Sequence, residues 1–272
     1  MGYFKSLKIA PNTWYIREIL GVGAYLFIGE NFALLSDTGN GFKDISKPVR
    51  KITDKPLIVM NTHGHSDHSG GNSPFGEIHM HPSDMYMLDA AWQKNQREML
   101  WGYAKKKYPF ARLLINMVEK KLSKNMTIKT VPLENGHIFE LGGRNIKTLH
   151  FPGHSPGTVL LLDEATKTLY AGDAINHGLF LFFNGSPSPK EYARRLRSLI
   201  SLSGYDFIRG SHHTEAMPFS FISYLADFLD RVKNGMVTDL PNDGNIPVLK
   251  YSEPIAGYSF KEITVFYTDQ NM

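Results

Sequence analysis

Leu57-Ile58-Val59-Met60-Asn61-Thr62-His63-Gly64-His65-Ser66-Asp67-His68 decides how this 272-residue chain folds and what it can bind. The short apolar run at 57–60 reads as a buried strand. Three imidazoles and a carboxylate follow almost at once, packed into six residues. Side chains alternate along an extended chain, so His63 and His65 leave the strand end on the same side. Asp67 and His68 can swing round the following turn to face a second point. Imidazole nitrogen and carboxylate oxygen together suit a borderline cation such as zinc. The competing reading is a polar, His-rich surface loop that holds nothing.

Further ligand candidates downstream argue against that loop. His154 sits in Phe151-Pro152-Gly153-His154-Ser155-Pro156-Gly157-Thr158, where Pro and Gly on both sides predict a tight turn between two apolar strands. Asp173 follows Thr168-Leu169-Tyr170-Ala171-Gly172, and Ala171 and Gly172 leave room for a close backbone approach. His212 follows Tyr205-Asp206-Phe207-Ile208-Arg209-Gly210-Ser211 and precedes His213. Each lies at or just after a predicted strand end, where sheets present functional loops.

This ordered set resembles the metallo-β-lactamase-fold superfamily. The resemblance runs from about Tyr25 to His212: the strand Phe32-Ala33-Leu34-Leu35 with its turn Ser36-Asp37-Thr38-Gly39, the His63–His68 motif with Gly70-Gly71-Asn72, then Pro152-Gly153-His154, Gly172-Asp173 and the His212 segment. It implies an α/β (α+β) four-layer αββα sandwich and a site for two divalent metal ions. His63, His65 and His154 would hold the first ion, and Asp67, His68 and His212 the second, with Asp173 bridging. Where the family usually ends on Gly-His, this chain reads Gly210-Ser211-His212-His213, so His213 is the fallback for His212. Zinc is the first choice of metal; an all-His/Asp set also admits iron or manganese.

Such a site implies metal-dependent hydrolysis. Two ions roughly 3.5–4 Å apart lower the pKa of a bridging water, and the resulting metal-bound hydroxide attacks an ester, thioester, lactone or related bond of a small molecule. Asp67 and Asp173 are the catalytic carboxylates, Asp67 orienting the hydroxide and Asp173 bridging the ions and offsetting their charge. Two alternatives use the same residues: a phosphodiesterase or nuclease, and a di-iron redox or sensor protein. The first lacks room for the large domain of the nucleic-acid-processing branch, and the second lacks a flavin domain as electron partner.

Composition sets the remaining expectations. No linker divides the chain, so we expect one domain over 1–272, with a helical insertion around 83–125. The chain contains no Cys, which excludes disulfides and thiolate ligands. There is no apolar stretch of about 18 residues, and the segment from Met1 to Lys8 lacks the apolar core of a signal peptide; both point to a cytoplasmic protein without a membrane span. Residues 92–125 carry nine Lys and Arg against Glu98 and Glu119, a local +7 in a chain of +4. That segment reads either as a basic lid favouring an anionic small-molecule substrate or as a helix with Trp92, Leu100, Leu113, Leu114, Met117 and Val118 buried and its lysines solvated. Its single patch without interleaved aromatics argues against nucleic acid. The oligomeric state is left open, a homodimer included.

Strands are predicted at 13–19, 25–28, 32–36, 57–61, 77–81, 128–131, 137–141, 145–151, 158–163 and 168–171, with a short helix over 44–52. Ser188-Pro189-Lys190-Glu191 combines an N-cap, a first-turn proline and a capping-box Glu. Its helix should bury Tyr192, Leu196, Leu199 and Ile200. Phe219, Ile222, Leu225, Phe228, Leu229 and Val232 mark a last helix. Phe180, Phe182 and Phe183 suit either a pocket wall or the core, and His177 lies within reach of Asp173. His79 and His81 alternate on a strand and read as structural.

Overall fold

Val59 and Met60 leave their strand on opposite faces and enter different apolar cores. The same alternation repeats across the molecule and explains its layers. In the computed structural model the described residues are 2–107, 128–240 and 246–268, the side chains of 99–107 excepted.

The first sheet runs, in spatial and chain order, through β1 (Phe4–Ala10), β2 (Thr13–Glu18), β3 (Gly23–Ile28), β4 (Ala33–Ser36), β5 (Leu57–Met60), β6 (Glu77–Met80) and β7 (Lys129–Pro132). Pairing is antiparallel as far as β4 and parallel from there. The second has the order β14 (Met217–Pro218), β13 (Phe207–Gly210), β11 (Thr168–Gly172), β10 (Val159–Asp163), β9 (Asn145–His150), β8 (Ile138–Glu140). Tyr15, Tyr25, Phe27, Leu34 and Met60 of the first sheet meet Phe139, Ile146, Val159, Leu161 and Tyr170 of the second in one core. The neighbours of these residues point outward. Ile16, Leu26, Leu35 and Val59 pack under Ile45 and Val49 at the helix Ser46–Arg50. On the far side, Leu160, Leu162 and Leu169 pack under the helices Pro189–Leu199 and Phe221–Asp230. Helix, sheet, sheet, helix is the expected four-layer order. Each fully buried large side chain contributes roughly 1.5–3 kcal/mol, so a one-residue slip in any strand would invert its share.

Beyond the two expected sheets stands a third, ordered β12 (Gly178–Leu181), β17 (Glu262–Thr268), β16 (Val248–Pro254), β15 (Met236–Val237). Its Leu179, Leu181, Leu249, Ile263, Val265 and Tyr267 join the helix-side core. Ser188 caps its helix as expected, accepting from the Glu191 N–H at 3.2 Å. Glu191 itself pairs with Arg194 and Arg195 and does not close the box. Tyr192, Leu196 and Leu199 are buried, but Ile200 falls at the C-cap and is 46 % exposed. In the segment expected to be a helical insertion, a 3-10 helix at Pro82–Leu88 leads into the helix Ala90–Lys107. Among its described side chains, Gln93 and Gln96 are buried and Trp92 is half-buried. The apolar positions Leu113 to Val118 and the cations Arg112 and Lys120 to Lys124 lie outside the described residues, as do the side chains of Leu100 and Lys105 to Lys107.

Two buried ionic groups tie this framework together. Arg144 donates to Asp163 at 3.3 and 2.5 Å, to the Asn12 carbonyl at 2.8 Å and to Thr13 Oγ1 at 2.7 Å. It thereby links the β1–β2 turn to the end of β10. Glu18, 2 % exposed, accepts from the Asn40 N–H, the Asn40 amide and the Tyr3 hydroxyl. Burial outweighs those hydrogen bonds and pushes its carboxyl up to about 7. A folded-state pKa above the unfolded one means stability is fully present at low pH and is lost as pH rises from about 4.5 to about 7. Glu18→Gln should therefore flatten the melting temperature across that window, removing a wild-type loss on the order of 3 kcal/mol between the two ends. Melting curves from pH 4.5 to 8 check it; parallel pH profiles for the two proteins would refute it.

Candidate metal centre

The first ligand candidates leave β5 as the alternation requires. After Met60, His63 and His65 enter the interior, and the short helix Ser66–Ser69 turns Asp67 and His68 toward a second point. His154 arrives from the β9–β10 turn, Asp173 from the end of β11 and His212 from the segment after β13. Gly172 has a φ of +53°, and a Cβ there would sit 3.0 Å from Thr62 Oγ1; a side chain would push β11 off the His63 loop.

The structure brings all seven expected residues together, in two groups. His63, His65 and His154 form one; Asp67, His68, Asp173 and His212 form the other, with the ligand atoms of each group within 4.8 Å of one another. His65 Nδ1 lies 2.9 Å from His154 Nε2. Asp173 reaches both groups, its Oδ2 lying 3.1 Å from His212 Nε2 and 3.8 Å from His154 Nε2. Asp67 Oδ2 stands 3.6 Å from both His68 Nε2 and His212 Nε2. His213 joins neither group: its Nδ1–H donates to the Glu215 carbonyl and its ring faces His177. Burial, then His177, pushes it down to about 4, so it is neutral.

Three observations show that this donor set fits divalent cations. First, His63 Nε2, His68 Nε2 and Asp173 Oδ1 are buried without hydrogen-bond partners, a costly state that a cation would relieve. Second, the tautomers are held. His154 Nδ1–H donates to the Phe180 carbonyl at 3.1 Å. His68 Nδ1–H donates to Asp37 at 2.9 Å. His63 Nδ1–H is accepted by the Thr62 hydroxyl, which in turn donates to Asp37. All three Nε2 atoms therefore face the centre. Third, the charges are complementary. Burial, with the neighbouring imidazoles, holds His63 and His65 well below the usual histidine range, which keeps their lone pairs free. Burial also opposes charge on His68 and His212, but Asp173 and Asp67 outweigh it and raise both, while those two imidazoles hold Asp173 low. Protons thus stand where a cation's charge would displace them.

Sequence reasoning missed the supports. Asp37 was visible only as part of a strand-to-turn signature. Gln96 accepts from the Ser66 N–H at 2.8 Å, and Gln93 donates to the Gly64 carbonyl at 3.1 Å. Tyr15 and Tyr25 donate at 2.6 Å to the Ser211 and Gly210 carbonyls, hanging the His212 segment from the opposite sheet. Both groups open onto a cavity of about 430 Å³ that is also lined by Asn176, His177, Phe180, Phe182, Phe183 and Leu240. Phe183 packs on the His65 ring at 4.3 Å. Of the two readings of Phe180, Phe182 and Phe183, the structure favours the pocket wall, and His177 lines the same cavity. Among the described residues, no helix is long and apolar enough to cross a membrane.

Comparison with known proteins agrees. The chain is 24 % identical over 257 residues to the acyl-coenzyme A thioesterase MBLAC2 of Homo sapiens, covering 83 % of this chain and 88 % of that one. It is 27 % identical over 168 residues to the probable metallo-hydrolase YybB of Bacillus subtilis, with 61 % and 63 % covered. In structure it is similar to a metallo-beta-lactamase from Pontibacter korlensis, with a TM-score of 0.57, 17 % identity and 84 % of this chain covered against 100 % of that one. The DIM-1 metallo-beta-lactamase gives the same TM-score at 15 % identity, with 84 % and 97 % covered. The sequence pattern of one family matches residues 19–212. The chain belongs to the metallo-beta-lactamase superfamily.

Proposed function

We propose that the chain is a two-metal hydrolase, zinc being the first choice, that cleaves thioesters carrying an apolar acyl group. The observation that carries this is the shared cavity: it is lined by His65, Asp67, His154, Asp173 and His212 and also by Phe180, Phe182, Phe183 and Leu240, which offer an acyl chain apolar contact. The described lining contains no Lys or Arg, which favours an apolar group over an anionic one at this depth. Thioesters are preferred to other esters because MBLAC2, a relative matched over most of its length, is a thioesterase by name.

His63, His65 and His154 would hold one cation and Asp67, His68 and His212 the other, with Asp173 between them. Cations held there would bring the pKa of water to near 7 and polarise the substrate carbonyl. The chain's own contributions follow from its geometry. The phenylalanine wall excludes water and aligns the acyl chain, so that the carbonyl carbon meets the attacking oxygen. The Asp67 carboxylate, with its side chain 29 % exposed, faces the cavity, where it accepts the proton of the attacking water and returns it to the departing sulfur. The products are a carboxylic acid and a free thiol.

The test is a substrate panel at defined metal content: thioesters of increasing acyl length, a chromogenic ester, a lactone, nitrocefin and bis-nitrophenyl phosphate. Thioester turnover should rise with acyl length, vanish on chelation and return with zinc. Phe183→Ala should raise KM for a long acyl thioester about tenfold while leaving acetyl thioester nearly unchanged. Turnover of the phosphodiester alone would overturn the reading.

A further inference from the structure

Asp84 lies in the 3-10 helix Pro82–Leu88, outside both ligand groups, and is fully buried. Its carboxylate accepts three hydrogen bonds from two different loops. Oδ2 takes the Gly64 N–H at 3.0 Å and the Ser155 hydroxyl at 2.5 Å; Oδ1 takes the Gly157 N–H at 2.6 Å. Gly64 stands between His63 and His65 in the loop after β5 of the first sheet. Ser155 and Gly157 follow His154 in the β9–β10 turn of the second sheet. One carboxylate therefore ties together the two loops that carry the three-imidazole group.

The seat is closely fitted. A Cβ on Gly157 would lie 2.6 Å from Asp84 Cγ, and one on Gly64 would lie 2.5 Å from Met87 Cβ, in the same 3-10 helix. Glycine at both positions is what lets the loops close on this helix. Gln93 donates to the Gly64 carbonyl and to the Met87 carbonyl, so the opposite edge of the loop is bound to the same helical segment. All three donors to Asp84 are neutral; burial pushes its carboxyl up, and the three hydrogen bonds oppose that.

We infer that Asp84 is a positioning residue for the cation site formed by His63, His65 and His154, setting the spacing between the two loops that supply those imidazoles. This rests on the reading that the three imidazoles hold a cation, and it is independent of the substrate. An amide at position 84 cannot reproduce the carboxylate: whichever way it turns, its NH2 faces either the Gly157 N–H or the Gly64 N–H and Ser155 hydroxyl. Removing a support of this kind typically weakens metal binding about 10–100-fold.

The experiment titrates Co²⁺ into wild type, Asp84→Asn and Ser155→Ala, following the visible d–d spectrum. Zinc stoichiometry is measured by equilibrium dialysis at graded free zinc, and melting curves are taken in chelator. The expected result for Asp84→Asn is about 10–100-fold weaker binding of one ion out of two, with an altered band for that ion and the other ion unchanged. Ser155→Ala removes one donor of three and should weaken the same ion by a smaller factor. A lower melting temperature with both affinities and the spectrum intact would make Asp84 merely structural and overturn the inference. If Asp84→Asn fails to fold, Ser155→Ala decides: unaltered affinities overturn the inference, and selective weakening supports it. A wild-type chain that takes up no ion overturns the metal reading, and this inference falls with it.

Discussion

Asp173→Asn is expected to abolish turnover, by about a thousandfold or more, and to leave the purified chain with fewer than two ions after dialysis. Asp173 touches both ligand groups: its two oxygens meet His68 Nε2 at 3.4 Å, His212 Nε2 at 3.1 Å and His154 Nε2 at 3.8 Å. An amide has nearly the same shape, but it lacks the charge that two neighbouring cations need between them, and its NH2 would point at an imidazole. Loss of a cation's Lewis-acid contribution is worth several kcal/mol, and roughly 4 kcal/mol is a factor of about a thousand. The fold should survive, since His68 and His212, which Asp173 holds charged, can turn neutral when it is gone. Metal content by elemental analysis, steady-state rates and circular dichroism check the three parts together. Two ions per chain and unaltered rates would take Asp173 out of the centre.

Arg144→Ala is expected to lower unfolding stability by about 3–5 kcal/mol, because it strands a buried charge. Asp163 is fully buried, and the Arg144 guanidinium supplies its only cationic partner among the described ion pairs. Removing the guanidinium also takes donors from the Asn12 carbonyl and Thr13 Oγ1. Other hydrogen bonds to Asp163, from the Ala165 N–H and the Thr166 hydroxyl, are neutral and cannot balance its charge. Urea unfolding measures the loss as a lower midpoint with the slope retained. A change below about 1 kcal/mol would mean that water reaches Asp163 when the arginine is gone.

The ligand candidates were legible because their signals are local: each is a titratable side chain set among Gly and Pro at the end of an apolar run. The strands that carry them were legible for the same reason, and they appear within a residue or two of their expected ends. What the sequence hid depends on partners far along the chain. Asp84 meets Gly64, Ser155 and Gly157 only once the two sheets are assembled, and no spacing rule connects those positions. Gln93 and Gln96 look like ordinary polar positions on a helix, yet they are buried, alone among its described side chains. The third sheet escaped notice because β16 is half-buried after Val248 and Leu249, without clean alternation, while β12 contains the phenylalanines that also suit a pocket. The choice between His212 and His213 turns on one residue of register: with the two tyrosine hydroxyls beneath the segment, His212 comes to Asp173 and His213 to the Glu215 carbonyl.

His63, His65, Asp67 and His68 come from one sheet, while His154, Asp173 and His212 come from the other. An ion gripped by both acts as a rivet through the seam of the sandwich, and its chemical potential becomes part of the protein's stability. At a thousandfold excess over the dissociation constant, mass action adds about 4 kcal/mol. Scarcity of the ion would therefore loosen the join between the halves before it disturbed the interior of either one.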